Sequence, residues 1–466
     1  DAIAGVVNVI MKKDFYGFLA ETYYGEAERG DLQTRTHTLQ YGTGLPNGSL
    51  FLSATLYEQD PIFSRDRRIS RDADTRLLGG TDQRSSATPD ARVVLPGGET
   101  LIAQGTGYRA ATEEDLFNYQ EFTSAVTQLE RNSVYGNFSY DISEQVTSQV
   151  EFSYLETDNT STLAPTPVFT AFEQTPLTIA ADNIYNPFPV PIEDARRRLL
   201  EFPDREQRNE SEVTRFSAEL EGLYAEWDWE LAYNWSRSEA SEHTLNLVNA
   251  DRLQRALGPA GDCRGAHIDG CVPVNLLGSS GSIDREQVDY LRATGEVSGY
   301  FKLSSFTASI NNALFSLPYG RGDVAFGFEH RNEATSKRPG PLLANTSTLG
   351  ATNFEATRGE RHISELYAET VLPAWKDSSG LYALDLEAAL RYSVYSDFGN
   401  TVNPKLGARL QAGPALLLRA SYAEGFRAPS LNELYEGNTE EQAFIIDPCQ
   451  QAASAGVLPG CTVQAD

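Results

Sequence analysis

Hydrophobic and polar residues alternate along much of this 466-residue chain. In WDWELAYNWS, Trp227, Trp229, Leu231, Tyr233 and Trp235 fall on one side, and Asp228, Glu230, Ala232, Asn234 and Ser236 on the other. A period of two is that of a β-strand with one apolar and one polar face. VTSQVEFSY sets Val146, Val150, Phe152 and Tyr154 against Thr147, Gln149, Glu151 and Ser153. DVAFGFEH sets Val324, Phe326 and Phe328 against Ala325, Gly327 and Glu329. The pattern predicts an all-β chain of about thirteen strands. They fall near residues 15–24, 35–42, 49–58, 131–140, 146–157, 212–223, 227–238, 300–316, 323–333, 361–372, 381–395, 402–411 and 415–423. Helical periodicity is scarce, and IEDARRRLLEF (Ile192 to Phe202) is the best candidate for a short loop helix.

The connections alternate as well. Short turns such as Asp141–Gln145, Tyr224–Glu226, Leu317–Gly322 and Ala412–Pro414 join neighbouring strands. Between them run long polar stretches, near 59–130, 158–211, 239–299, 334–360 and 425 to the end. Long loops at every second connection emerge from one end of a sheet, which is the plan of outer-membrane barrels. The odd-numbered strands then run outward.

Composition fits this plan. No run of ~18 or more apolar residues offers a transmembrane helix, but barrel strands need only about 9–11 alternating residues each. A net charge of −27 argues against nucleic acid as a partner. It also disfavours a strongly anionic ligand, unless a local patch overrides it. The four cysteines form two close pairs, Cys263 with Cys271 and Cys449 with Cys461, both in predicted outward loops. Even counts and local pairing point to disulfides in an oxidising compartment. The rival reading, a metal site helped by His267, matches no common zinc spacing.

The opening DAIAGVVNVIMKKDF is apolar on both faces before the first amphipathic strand. It resembles the end of the plug domain of TonB-dependent outer-membrane receptors, with Ala2, Gly5, Val6, Asn8, Ile10 and Lys12 in the family's places. NPKLGARLQAGPALLLRASYAEGFRAPSLNELY resembles the family's late-barrel signature through Gly425, Phe426, Arg427, Ala428, Pro429 and Ser430, followed by Leu434 and Tyr435. LFSLPYGRGDVAFGFEHR is similar to a family hairpin.

The resemblance implies the end of a plug over residues 1–13 and a transmembrane antiparallel β-barrel over 14–466. Its complete family form has 22 strands. An odd number of strands and an unpaired edge in lipid lead us to expect a fragment, cut within an outward loop, that does not close alone. The implied activity is TonB-energised uptake of a scarce nutrient across the bacterial outer membrane, most often a ferric siderophore. The alternatives are a passive porin or adhesin barrel and a secreted β-rich binding module.

Catalytic motifs are missing. The histidines at 37, 243, 267, 330 and 362 form no H-E-x-x-H pair, and neither a G-x-S-x-G elbow nor a phosphate loop occurs. No enzyme, cofactor or metal site is expected. Trp227, Trp229, Tyr233 and Trp235 are expected to face lipid, and Glu151, Asn234 and Glu329 to line a wet lumen. Arg427 is expected to brace its loop against a carboxylate such as Glu424 or Glu433. Asn137-Phe138-Ser139 has the form of a glycosylation acceptor, but on a predicted membrane strand it is read as coincidence. Ligand capture is assigned to the long loops as regions.

Overall fold

The computed structural model describes residues 11, 15–173, 175–259, 263, 270–345 and 348–439. Thirteen strands form one continuous antiparallel sheet in chain order. They are β1 Gly17–Gly25, β2 Thr34–Leu45, β3 Gly48–Gln59, β4 Gln128–Ser143, β5 Val146–Leu163, β6 Arg205–Tyr224 and β7 Trp227–Asn249. The series continues with β8 Arg292–Leu317, β9 Gly320–Pro339, β10 Thr357–Lys376, β11 Tyr382–Tyr395, β12 Gly399–Ala412 and β13 Leu417–Ala423. Every predicted strand is present. Several extend outward beyond the predicted bounds, as β7 does to Asn249 and β8 back to Arg292. Just beyond the predicted bounds the residues are mostly polar on both faces, so alternation fades while backbone pairing continues, until Leu247 and Val248 of β7 turn into buried positions. Among the described residues, β1 pairs only with β2 and β13 only with β12, so the sheet is open.

The burial of this sheet is inverted relative to a water-soluble protein. Its buried positions include Asn137 at 1 %, Glu365 at 2 % and Ser393 at 1 % exposure. Leu366 at 58 %, Leu390 at 50 % and Leu231 at 39 % stand in the open. The register explains the sides. Asn137, Glu151, Ser217 and Asn234 are cross-strand partners in one row of the polar face. Phe152, Phe216 and Trp235 form a row of the other face. Exposed leucine and phenylalanine at this density need an apolar medium around them.

The apolar band does not follow the hydrogen-bonded rows. Stepwise pairing from Leu52 passes Phe152, Phe216 and Trp235, then reaches Ser304, Asn332 and His362. In β10 the exposed apolar residues start lower, at Leu366. The band therefore drops by about one residue per strand. With ~3.3 Å per residue and ~4.8 Å between strands, that corresponds to a tilt of roughly 35°, the range of barrel strands.

Two glycines permit close approach. Tyr367 lies flat over Gly327, where a Cβ would come within 2.0 Å of the ring. A Cβ on Gly42 would meet the Phe15 carbonyl oxygen at 1.9 Å. Phe15 packs edge-on against Phe51, so the segment leading into β1 runs over the polar face.

Two expectations need correction. The stretch 192–202 is not helical: Asp194–Arg198 is a strand. Helical spacing was mimicked by a run of long side chains that are buried on both faces of a small sheet. Nor is every outward connection long. Residues 26–33 and 396–398 are short links at that end.

Candidate ligand-capture site

The outward loops fold together into a cap. Pro167–Phe169, Asp194–Arg198, Arg92–Val94, Thr100–Gln104 and Gly107–Ala110 form a five-stranded sheet in that order. It therefore draws on the connections after β3 and β5. The connection after β7 adds helices α1 (Ala250–Leu257) and α2 (Arg285–Leu291). Val93, Val168, Ile179, Ile192, Leu253 and Leu291 share one core, joined by Leu349 from the connection after β9. This core is the main apolar interior of the described residues, and it lies in the loops. Unsupported polar loops would be mobile; these are fixed by buried aliphatic area.

Local signals start each helix. Asn249 caps α1 by accepting from the Arg252 amide, and Leu253, Ala256 and Leu257 turn inward. Asp284 and Gln287 form a capping box on α2. Both helices were missed in the sequence, although D-x-x-Q ahead of an apolar run is such a signal. At the end of β7, a bulge between Thr244 and Leu247 with Asn246 at φ +64° rotates Leu247 into the interior.

Three consecutive arginines pin the cap. Arg197, fully buried, donates to the Asn275 carbonyl (2.6 Å), the Ser279 carbonyl (3.0 Å) and the Glu201 carboxylate (2.7 Å). Arg198 donates to the Pro165 carbonyl (2.8 Å) and Ser85 Oγ (3.1 Å). Arg196 pairs with Asp194 and lies 5.1 Å over the Phe172 ring. Arg196 also donates to Ser86 Oγ at 3.3 Å, so each arginine ties the connection after β5 to another loop. Burial lowers the Arg197 guanidinium below its ordinary range and brings Arg198 down to about 10. Cys263 and Cys271 are joined in a disulfide, beyond α1.

Below the cap, the polar face carries a charge network over β9, β10 and β11. Arg391 reaches Glu365 (2.8 Å) and Glu329 (3.2 Å). Arg331 reaches Glu329 and Glu333, and Arg361 binds Glu333 at 2.6 Å. Arg361 also donates to the Pro429 carbonyl at 2.7 Å, linking this face to the segment after β13.

That segment holds the GFRAPS stretch. Phe426 packs on Tyr395 and Phe398. Ser430 caps a short helix α3 (Leu431–Tyr435) in a box with Glu433, and Arg427 forms a two-pronged pair with Glu433 at 3.0 and 2.8 Å. Tyr435 closes over Gly359. Arg427 and Glu433 thus pair within one loop. The pairing holds the Glu433 carboxyl down to about 2.

The register sets Trp227, Trp229, Tyr233 and Trp235 on the apolar face, with Leu231. It sets Glu151, Asn234 and Glu329 on the opposite face, where Glu151 accepts from Asn137 (2.9 Å) and Gln149. Asn137-Phe138-Ser139 lies within β4. Ala2, Gly5, Val6, Asn8, His267, Cys449 and Cys461 lie outside the described residues.

Two outcomes test this construction. Arg197→Met leaves two buried carbonyls and Glu201 without their donor, a loss of about 3–5 kcal/mol. Amide exchange in α1 and α2 should accelerate while β8–β10 stay protected; unchanged protection would deny the pinning role. For Glu433, a depressed carboxyl stabilises the brace above its ordinary value of 4.5 and ceases to as pH falls towards 2. An NMR titration of that carboxyl should place its midpoint near 2, and Arg427→Ala should return it towards 4.5.

Residues 172–458 match the TonB dependent receptor-like, beta-barrel family. No protein with a curated description matches the chain in sequence. Among solved structures, the ferric enterobactin receptor PfeA of Pseudomonas aeruginosa, in complex with BCV-L6, is 13 % identical with a TM-score of 0.50. That likeness covers 93 % of this chain and 48 % of PfeA, and at such identity it speaks for the fold alone. The siderophore receptor PirA of Acinetobacter baumannii is 12 % identical with a TM-score of 0.44, over 91 % of this chain and 45 % of PirA. The chain spans about half the length of these structures. With more than half of its residues inside the family match, and with the tilted antiparallel sheet that such barrels require, the chain belongs to the TonB-dependent receptor β-barrel family.

Proposed function

We propose that this chain works in the bacterial outer membrane as the ligand-binding part of a TonB-dependent receptor that takes up a ferric siderophore. Barrels of this family are outer-membrane proteins, and their fold is that of receptors and transporters. The observation that carries the reading is the inverted burial of the sheet, with leucines in the open and Glu365 enclosed. Trp227, Trp229, Tyr233 and Trp235 then face lipid, and Glu151, Asn234 and Glu329 face the lumen. Residues 1–13 act as the end of a plug and 14–466 as barrel, with further strands needed to pair the open edges. The ligand binds at the cap, and TonB, energised from the inner membrane, acts on the plug to open the lumen. PfeA is a ferric enterobactin receptor and PirA a siderophore receptor, which supports this ligand class. A secreted module would not expose such an apolar band to water. A passive porin or adhesin would have no use for a plug strand.

Leu366→Arg places a charge in the apolar band and should cost about 2–4 kcal/mol of folding into lipid vesicles. An effect no larger than that of a substitution in an outward loop would contradict the lipid-facing assignment. For transport, iron-starved cells lacking the gene should lose saturable uptake of siderophore-bound radioactive iron. Uptake through this receptor that persists without TonB would replace the energised reading with a passive one.

A further inference from the structure

The apolar side of the sheet is not uniform. A groove of about 600 Å³ opens in it across β7 to β11. Its small residues sit between larger neighbours: Ala308 is paired with Leu231 and Phe328, and Ala368 with Phe326 and Leu390. Trp229 and Leu366 also line it. In a bilayer the neighbours of such a groove are acyl chains, and an unfilled one forfeits dispersion contacts.

The same side of the same strands carries cations farther out. Arg237, the next residue on that side after Trp235, is paired with Lys302, and Glu239 with Tyr300. Tyr300 is paired with Ser336 and Ser336 with Arg358, while Arg338 follows on β9. In β10, Arg358, Glu360, His362 and Leu366 are exposed, and the odd-numbered residues between them are buried. The Lys302 ammonium lies 4.7 Å from the centre of the Tyr300 ring, and the Arg237 guanidinium 5.9 Å from it. Arg237 has an acid, Glu239, but Lys302, Arg338 and Arg358 form no ion pair among the described residues. Glu360 lies between them, which leaves the patch an excess of positive charge in a chain whose net charge is −27. The opposite holds on β3 to β6. There Glu58, Glu130, Asp158 and Glu210 are paired in one row of this side.

The distance from groove to cations is that of one lipid leaflet. Lys302 lies roughly 20 Å outward of Ala308 along β8, at ~3.3 Å per residue. With a strand tilt of roughly 35°, this is roughly 16 Å along the membrane normal, against a hydrocarbon half-thickness of ~15 Å. A lipid with a chain in the groove therefore has its phosphate at Lys302. Arg358 and Arg338 occupy the next two outward rows, each ~7 Å farther along the strands. A simple phosphodiester headgroup ends before them; a phosphorylated sugar headgroup continues past them. We infer that β7 to β10 hold one phosphorylated glycolipid of the outer leaflet, with an acyl chain in the groove and its phosphates on Lys302 and Arg358. The carboxylate row on β3 to β6 repels the same lipid, so it is seated on one sector of the barrel. The inference rests on the outer-membrane reading above, and adds a partner held from the side.

The test uses the full-length receptor in detergent, titrated with diphosphoryl lipid A, its dephosphorylated form or phosphatidylglycerol and followed by native mass spectrometry. One diphosphoryl lipid A should be retained per receptor, about tenfold more tightly than either of the other lipids. Lys302→Gln combined with Arg358→Gln should erase that preference, and since neither cation has an ion pair to lose, the sheet should stay intact. Glu130→Gln combined with Glu210→Gln, on the acidic sector, should not weaken retention. Ala308→Leu, which fills the groove and stays apolar, should weaken retention of lipid A about threefold. Equal retention of phosphatidylglycerol, or a Lys302 and Arg358 double variant indistinguishable from the parent, overturns the site. If lipid A is not retained while Leu366→Arg still impairs folding into vesicles, the glycolipid site falls and the outer-membrane reading stands.

Discussion

Every strand of the large sheet answers one demand: backbone amides and carbonyls must find partners within the sheet, because the medium around its apolar face offers none. An unpaired group there costs several kcal/mol. Continuous pairing from β1 to β13 meets that demand in the interior of the sheet, and among the described residues each edge strand has one neighbour. The side chains then obey a reversed rule. Leucine, phenylalanine and tryptophan can remain exposed, while asparagine, glutamate and arginine turn to the other face and satisfy one another. The Arg391–Glu365–Glu329 pairs are the outcome, charges held by mutual neutralisation where a soluble protein would place aliphatic side chains.

At the outward ends the rule reverts. Beyond the apolar band the strands continue as polar ribbons, and above them the loops build an ordinary hydrophobic core with helices, a small sheet and buried arginines. One chain thus folds for two solvents, and the change falls within single strands. β7 shows it over its length, from Trp227 to Trp235 in the band to Leu247 and Val248 in the cap core.

The legibility of the sequence follows the same division. In the band, a period of two separates an apolar from a polar face, and Trp227 to Ser236 alternate between those faces along β7. In the cap, burial on both faces erases the period. Ala195 and Arg197 are both fully buried with Arg198 beside them, so Asp194–Arg198 lacks a clean alternation; helix α1 does carry the spacing, with Leu253, Ala256 and Leu257 inward, but over only eight residues. The Arg196–Arg198 strand was mistaken for a helix for that reason. The capping box at Asp284 was readable, but its helix is too short to stand out. Arg205 had no local signature at all. Its partners are the carbonyls of Ala164 and Gly350, both distant in the chain. The brace of Arg427 was legible because both partners lie within one motif.

The cap is assembled from segments that follow β3, β5, β7 and β9, and each contributes to one shared core. Its pieces are brought together by strands from β3 to β10 held in register. A receptor inserted with one hairpin missing or slipped would present these loops as separate, cleavable tails. Formation of the cap therefore depends on the assembly beneath it, and susceptibility of these loops to a protease would report on that assembly.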